Sequence, residues 1–485
     1  MIQSKKLEAL ILWFLICLIM SICSVALNVH RTSMNGANMK VLYKISEKSW
    51  RKAAASHSAK IKYILSPGLT SFDHPLNTGI AKRRHYIDDW TGLDPLNPIF
   101  NFLIEYYGIK GSKGTRRLAR WSPDPSIMIS GGHTHDHKLP IEIIQKSQDD
   151  LIFHSAMKAT NGIGGIFLEN ANAEDLGGTL HLRGAIPVPS IDNPDKLHGI
   201  IYNSAIFYNR HMLVETEEDR LQLLKTMAPF QWYKSIMETT LNSDPIMHCH
   251  GLHEWAMQYH PEGADPPPSA SYQASLKLRV SREVINKTVE RKGISCTHVD
   301  ALRFFAPAAA PLNHHGSSLE RIDQLRLEQK ACVHAHMDLL KIALKIQPFL
   351  SSELLVEVLR IAIKARKLDV EASPYDATMY GAGVVPVETK EGRKLYREQQ
   401  RALMVEAEAI RIRLLQAYTT FLSISFDEDL ISHSSMEKKP KEVMKKGMIF
   451  DRDDIKVMNF DGTLHATAEP GSLPWRHNIK NNNNK

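Results

Sequence analysis

The sequence predicts a mainly α-helical body that carries a small β-rich insertion. Three observations support that class. Leu403, Ala407, Ile410, Leu414, Ala417 and Phe421 recur at steps of four and three, which puts them on one face of a long helix. Residues 352–367 repeat the pattern with Leu354, Val358, Ile361 and Ala365. Residues 160–212 differ in character: they are rich in Gly and Pro, with Gly178–Arg183 and Ile200–Tyr202 as candidate strands.

Composition sets the outer limits. The chain has 485 residues, 43% hydrophobic and 23% charged, which is ordinary for a globular protein. Collagen-like, disordered and multi-spanning membrane classes are excluded for the bulk of it. The net charge is +7, and residues 246–424 hold 23 Lys+Arg against 20 Asp+Glu. A nucleic-acid binder usually carries a concentrated basic footprint; here only a local stripe would supply one.

Taken in order, residues 1–26 read as a secretory signal peptide. Lys5 and Lys6 precede the apolar run Leu10–Met20, and Ser24-Val25-Ala26 gives a small-x-small cleavage pattern. The alternative is a retained anchor, since Ala9 to Leu27 gives 19 residues, enough to span a bilayer. If the signal is cleaved, no permanent membrane partner is expected. Residues 27–47 are acid-poor, with Arg31, Lys40 and Lys44 against Glu47, and read as a plastid transit segment. Together the two form a bipartite plastid address; the alternative is the secretory pathway.

Residues 48–159 read as an N-terminal helical part. Pro95 and Pro98 mark a turn before Ile99–Tyr107, and a basic turn follows at Arg116, Arg117 and Arg120. After the β-rich insertion 160–212 comes a helical core, 213–424. Its helical pattern starts near Glu217, and Pro266-Pro267-Pro268 breaks it. Ser281 then caps a helix bearing Val284, Ile285 and Val289, which Gly293 stops. The helix 352–367 ends in Lys364, Arg366 and Lys367, the charge sign that suits a helix C-terminus. Residues 425–485 read as a flexible, solvated tail. Once the signal is removed, Cys249, Cys296 and Cys332 remain, too few and too scattered for a disulfide framework.

Histidine carries the chemical signal. Nine of the 23 histidines fall between His248 and His336, and each remaining cysteine sits within two residues of one. Imidazole, thiolate and carboxylate are the side chains that ligate metals. His253, His298, His334 and His336 are therefore candidate ligands for a divalent metal. On a helix His334 and Asp338 share a face, and with Lys341 and Lys345 they form the polar stripe of an otherwise apolar segment. Such a stripe needs partners, because unpaired buried polar groups are costly. Two other readings compete. Thr297 with Asp300 is also the pattern of a helix capping box, and Cys249 and Cys332 also suit an ordinary core. His133-Thr134-His135-Asp136-His137 reads as an exposed polar loop, and Asn161-Gly162-Ile163-Gly164 as a turn.

Gly251-Leu252-His253-Glu254-Trp255-Ala256-Met257 and Cys296-Thr297-His298-Val299-Asp300 with Ala301–Ala309 resemble a bacterial and cyanobacterial family usually labelled 3-methyladenine DNA glycosylase. Gln329–Leu339, Leu368-Asp369 and Ala372-Ser373-Pro374-Tyr375-Asp376 fit the same family. The resemblance covers 246–424. It is weaker at the front, where Trp50, His57, Leu65-Ser66-Pro67 and Arg117–Trp121 fit, and it omits 160–212 and both ends.

That resemblance implies DNA as the partner and hydrolysis of the N-glycosidic bond of an alkylated purine after base flipping. It would need a carboxylate, with Glu254, Asp300, Asp338 and Asp376 as candidates. It would also need aromatic faces for a cationic base, with Trp255, Tyr259, Phe304, Phe305 and Tyr375 as candidates. Arg303, Arg321 and Arg326 would hold phosphates. The histidine groups support a second class, a metal-dependent hydrolase or oxygenase with ligands projecting inward from several helices. A third class is a non-catalytic helical scaffold. The first two share one expectation: His253, Glu254, His298, Asp300, His334, His336, Asp338 and Asp376 converge on one cleft.

Overall fold

The computed structural model describes residues 42–65, 93–125, 141–144, 151–190, 193, 197–208, 216–264 and 276–426. The signal peptide, residues 27–41 of the transit segment, the His133–His137 loop, Pro266–Pro268 and most of the tail lie outside them. Among the described residues no helix is long and apolar enough to cross a membrane.

Among the described residues the chain is mainly α with one five-stranded sheet. The strands are β1 (Leu42–Ile45), β2 (Ile141–Ile144), β3 (Gly165–Glu169), β4 (Ile186–Pro189) and β5 (Leu197–Tyr202), in the order β2-β1-β3-β5-β4. Only β1 and β3 are parallel. Three strands come from 160–212, but β1 and β2 come from outside it, so that segment is sewn into the body. Residues 42–45, assigned to the transit segment, are instead a strand whose Leu42 and Ile45 are fully buried. Gly178–Arg183 is not a strand; it follows the turn at Gly177-Gly178, and Leu180 makes an isolated bridge to Trp121.

Period-two alternation gives the sheet two covered faces. Leu42, Phe167 and Ile201 face Phe153 and Ala156 of the helix Leu151–Ala159. Tyr43, Ile45, Ile166, Leu168, Ile200 and Tyr202 join the main core.

That core is built from helices of very unequal length. They are α1 (Glu47–Leu65), α2 (Gly111–Ala119), α3 (Glu217–Asn242), α4 (Leu252–Met257), α5 (Arg282–Glu290), α6 (Val299–Leu302), α7 (Val333–Ile346), α8 (Ser352–Glu371) and α9 (Lys390–Ser425). Helix α3 opens on a capping box in which Thr216 and Asp219 satisfy each other's backbone N–H groups. Ser281 caps α5 as its sequence predicts, accepting from the Val284 N–H. Helix α7 packs most extensively on α8, and both lie against α9. On α9 the predicted face is buried at Leu403, Ala407, Ile410, Leu414 and Phe421. Helix α8 runs to Glu371, one turn past its expected end, so Arg366 lies within it and is buried. The start of α7, the last turn of α8, α4 and the segment before α6 meet at one place.

Candidate metal centre

Local structure aims three histidines at that place. Gly251, with φ +67°, turns the chain into α4, so His253 lies in the first turn of that helix. Asn313 grips Cys296 through both main-chain groups, at 2.9 and 3.1 Å, which fixes the approach to α6. His298 is the residue at the start of α6. His334 occupies the first turn of α7.

The rings meet. His253 and His334 centroids are 4.3 Å apart, and His298 stacks on His334 at 4.7 Å with planes 8° apart. Asp369, from the last turn of α8, brings Oδ1 to 2.9 Å from His253 Nε2. The approach is close but off the line of a hydrogen bond, so both atoms are buried without an aligned partner. Glu328 Oε2 lies 3.5 Å from His298 Nδ1, and Asp338 Oδ2 lies 3.9 Å from His298 Nε2.

Arg366 ties the carboxylates together. Its guanidinium donates to Glu254 at 2.9 Å, to Asp369 at 2.6 Å and to the Pro98 carbonyl at 3.0 Å. All three side chains are nearly fully buried. A buried charge of this kind is tolerable only when paired and hydrogen-bonded. Burial opposes ionisation of Asp369, but His253 and Arg366 outweigh it and hold the carboxyl well below the usual range.

The neighbouring imidazoles are set differently. Burial, with His253 and His298 beside it, keeps His334 neutral far below its ordinary pKa. Burial also pulls on His298, but Glu328, Asp338 and Asp300 overcome it and raise that pKa. Burial pushes the Cys332 thiol up, with Glu328 adding to the effect.

Three sets of ligand atoms lie within 4.8 Å of one another: His253, His334 and Asp369; His298, Glu328 and Cys332; and His298, Asp300 and Asp338. These buried groups are positioned to bind a metal. The first set fits best. It offers two imidazoles and an ionised carboxylate, and Arg366 holds the carboxylate from behind as an outer-shell partner does. The second set includes a protonated thiol. In the third, Asp300 is already engaged by Arg303 at 2.7 Å, Arg321 at 3.2 Å and Lys341 at 3.5 Å.

Several sequence expectations fall elsewhere. His336 points to the opposite side of α7, because residues two apart on a helix do not share a face; its Nδ1 accepts from Arg411 at 3.3 Å. Asp376 is exposed and caps a turn through Thr378. The capping box is not formed: His298, not Thr297, precedes α6, and no side chain caps it. The aromatic candidates have separate engagements. The Trp255 indole N–H donates to the Ala372 carbonyl at 2.8 Å, and the Tyr259 hydroxyl donates to Glu290 at 2.8 Å. Phe304 meets Tyr106 edge-on, Phe305 is core, and the Tyr375 hydroxyl accepts from Gln258 at 2.9 Å. Arg303 is spent on Asp300, and Arg326 pairs with Asp323 at 3.0 Å.

The sequence reading missed Asp369 as a ligand, and Glu328 and Arg366 as partners. One signal was available: an Arg and an Asp three residues apart between Ala365, Leu368 and Val370, on a helix that is otherwise apolar there. Comparison with protein-family models, with curated proteins and with solved structures gives no match.

Proposed function

We propose that the chain is a divalent-metal-dependent hydrolase, with His253, His334 and Asp369 as the protein ligands. The observation that carries this reading is the meeting of those three groups, from three helices, with His253 Nε2 and Asp369 Oδ1 left without a hydrogen-bond partner in the protein. Two imidazoles and a carboxylate leave coordination positions open for water and substrate, the arrangement of catalytic rather than structural sites. A bound divalent ion would supply an acidified water and an electrophile.

The remaining residues have roles of their own. His298 stacks beside His334 and has Asp338 at its outer nitrogen. That dyad can take a proton from water and return it to a leaving group. Its position beside the triad suits hydrolysis, in which the attacking water loses a proton and the leaving group gains one. Arg303, Arg321 and Lys341 lie around Asp300, and Asp338 also faces Lys341, giving three cations against two carboxylates. The excess positive charge at the rim suits an anionic substrate.

The test begins with elemental analysis of the purified full chain. About one divalent ion per chain, lost in His334→Ala and Asp369→Ala, is expected. The metal-loaded protein is then assayed on phosphate esters, carboxylate esters and methylated duplex DNA. Excision of methylated purine would assign the reaction that the family resemblance implies. A chain that binds no divalent ion at all overturns the proposal.

A further inference from the structure

Helix α9 carries a second apolar row besides the buried one. Leu395, Ala402, Val405, Ala409 and Ile412 follow one another at steps of seven, three, four and three, the spacing of a coiled-coil seam. All five are exposed, the large ones by 40% at Leu395, 63% at Val405 and 42% at Ile412. The buried row of Leu403, Ala407, Ile410 and Leu414 lies on the other side of the same helix. The outward stripe of a surface helix is ordinarily polar. Single exposed apolar residues are commonplace, whereas a row of them along one helix marks a contact surface.

Charges flank this seam unequally. On one side they are engaged within the chain: Glu406 pairs with Lys364 of α8 at 2.7 Å, and Arg413 with Glu357 of α8 at 2.5 Å. On the other side stand Arg401 and Glu408. Among the described residues neither has an ion-pair partner, and Arg411 acts on Glu408 only from beyond that distance. Arg401 and Glu408 are two helical turns apart, about 10 Å along the axis, too far to pair with each other.

We infer that this face docks against the same face of a second copy of the chain, the two α9 helices running antiparallel about a two-fold axis near Ala402 and Val405. The symmetry sets Ala402 against Val405 of the second copy and Leu395 against Ile412. It also brings each Arg401 to the Glu408 of the other copy, so the two unpaired charges complete each other. The one charge within the seam is Glu398, which has Lys394 at 4.0 Å. A parallel pairing would set Glu398 against its own counterpart, and like charges so placed repel; the antiparallel one sets it against the small Ala409. The seam covers about 26 Å of helix. That is a small interface, so a dimer dissociating at roughly micromolar concentration is expected.

The experiment is sedimentation equilibrium of the full chain from about 1 to 100 µM. The mass should rise from one chain toward two. Val405→Glu should weaken association about tenfold or more with an unchanged circular dichroism spectrum, since the side chain is exposed. Arg401→Glu and Glu408→Arg each place like charges across the two-fold, and each should weaken association about tenfold. The double variant Arg401→Glu/Glu408→Arg restores opposite charges, and its association should return to within about threefold of the parent. A parallel dimer would not be rescued in this way, because Arg401 would there face Glu406 and Glu408 would face Arg413. A chain that stays monomeric throughout the range overturns the inference, because the face is then left bare or covered by something else, residues 427–485 included. Association insensitive to Val405→Glu also overturns it, as does a double variant no better than the single ones.

Discussion

His253 Nε2 stands 2.9 Å from Asp369 Oδ1, and neither atom has an aligned hydrogen-bond partner. Two buried polar atoms brought this close without a proper bond are placed as co-ligands would be. The ring of His334 completes the group, 4.3 Å from that of His253.

Metal content should therefore separate two histidines of the same helix. His334→Ala and Asp369→Ala are expected to abolish bound ion, measured by elemental analysis after dialysis. His336→Ala is expected to retain it, since His336 faces Arg411 instead. Equal loss in His336→Ala would show that the ligand set is drawn wrongly.

Arg366 is expected to be indispensable for folding. Arg366→Met leaves Glu254 and Asp369 buried without their shared cation. Breaking a buried ion pair from one side typically costs about 3–5 kcal/mol, and urea unfolding should register a loss of that order. A change under about 1 kcal/mol would mean that the carboxylates are neutral or hydrated, contrary to the burial described.

The pair His298–Glu328 predicts a pH window. The folded pKa of His298 is raised from 6.5, so its contribution is full below that value and fades as pH climbs through the folded pKa. The folded pKa of Glu328 is lowered from 4.5, so its contribution is full above 4.5 and fades as pH falls through the folded pKa. The stability advantage of the parent chain over Glu328→Gln should be greatest between about pH 4.5 and 6.5. Denaturant unfolding of both proteins from pH 4 to 8 measures it, and a difference independent of pH would remove the ion pair from the account.

Gly392 should tolerate no side chain. A Cβ there would lie 1.9 Å from the Pro386 carbonyl oxygen and 2.3 Å from its carbon, both main-chain atoms. Gly392→Ala must push the 386–389 turn off the start of α9. A loss of more than about 2 kcal/mol is expected by thermal or urea unfolding, whereas Gly178→Ala, with open space around it and no positive φ, serves as the mild control.

The helices were legible because they are periodic. The spacing of Leu403 through Phe421 marks a buried face, and Ser281 marks a helix start, since both signals are local. The sheet was only partly legible. Strands β1 and β2 are four residues each and gain their partners from distant segments, so nothing within Leu42–Ile45 announces them. The histidines were legible as a group, but their sorting was not. Helical geometry already placed His334 and His336 on different faces, and that argument alone would have dropped His336.

The sequence by itself determined the fold class, the helix faces and the concentration of imidazoles and acids in 248–338. Only the tertiary structure decided which of them meet. It recruited Asp369, Arg366 and Glu328, and it sent Asp376 to the surface and the aromatic residues to separate tasks. The reason is physical. Periodicity and capping are interactions within a few residues of chain, whereas a ligand set depends on how whole helices pack. A helix that ends one turn later than expected is enough to turn a terminal charge such as Arg366 into the buried tie between two carboxylates.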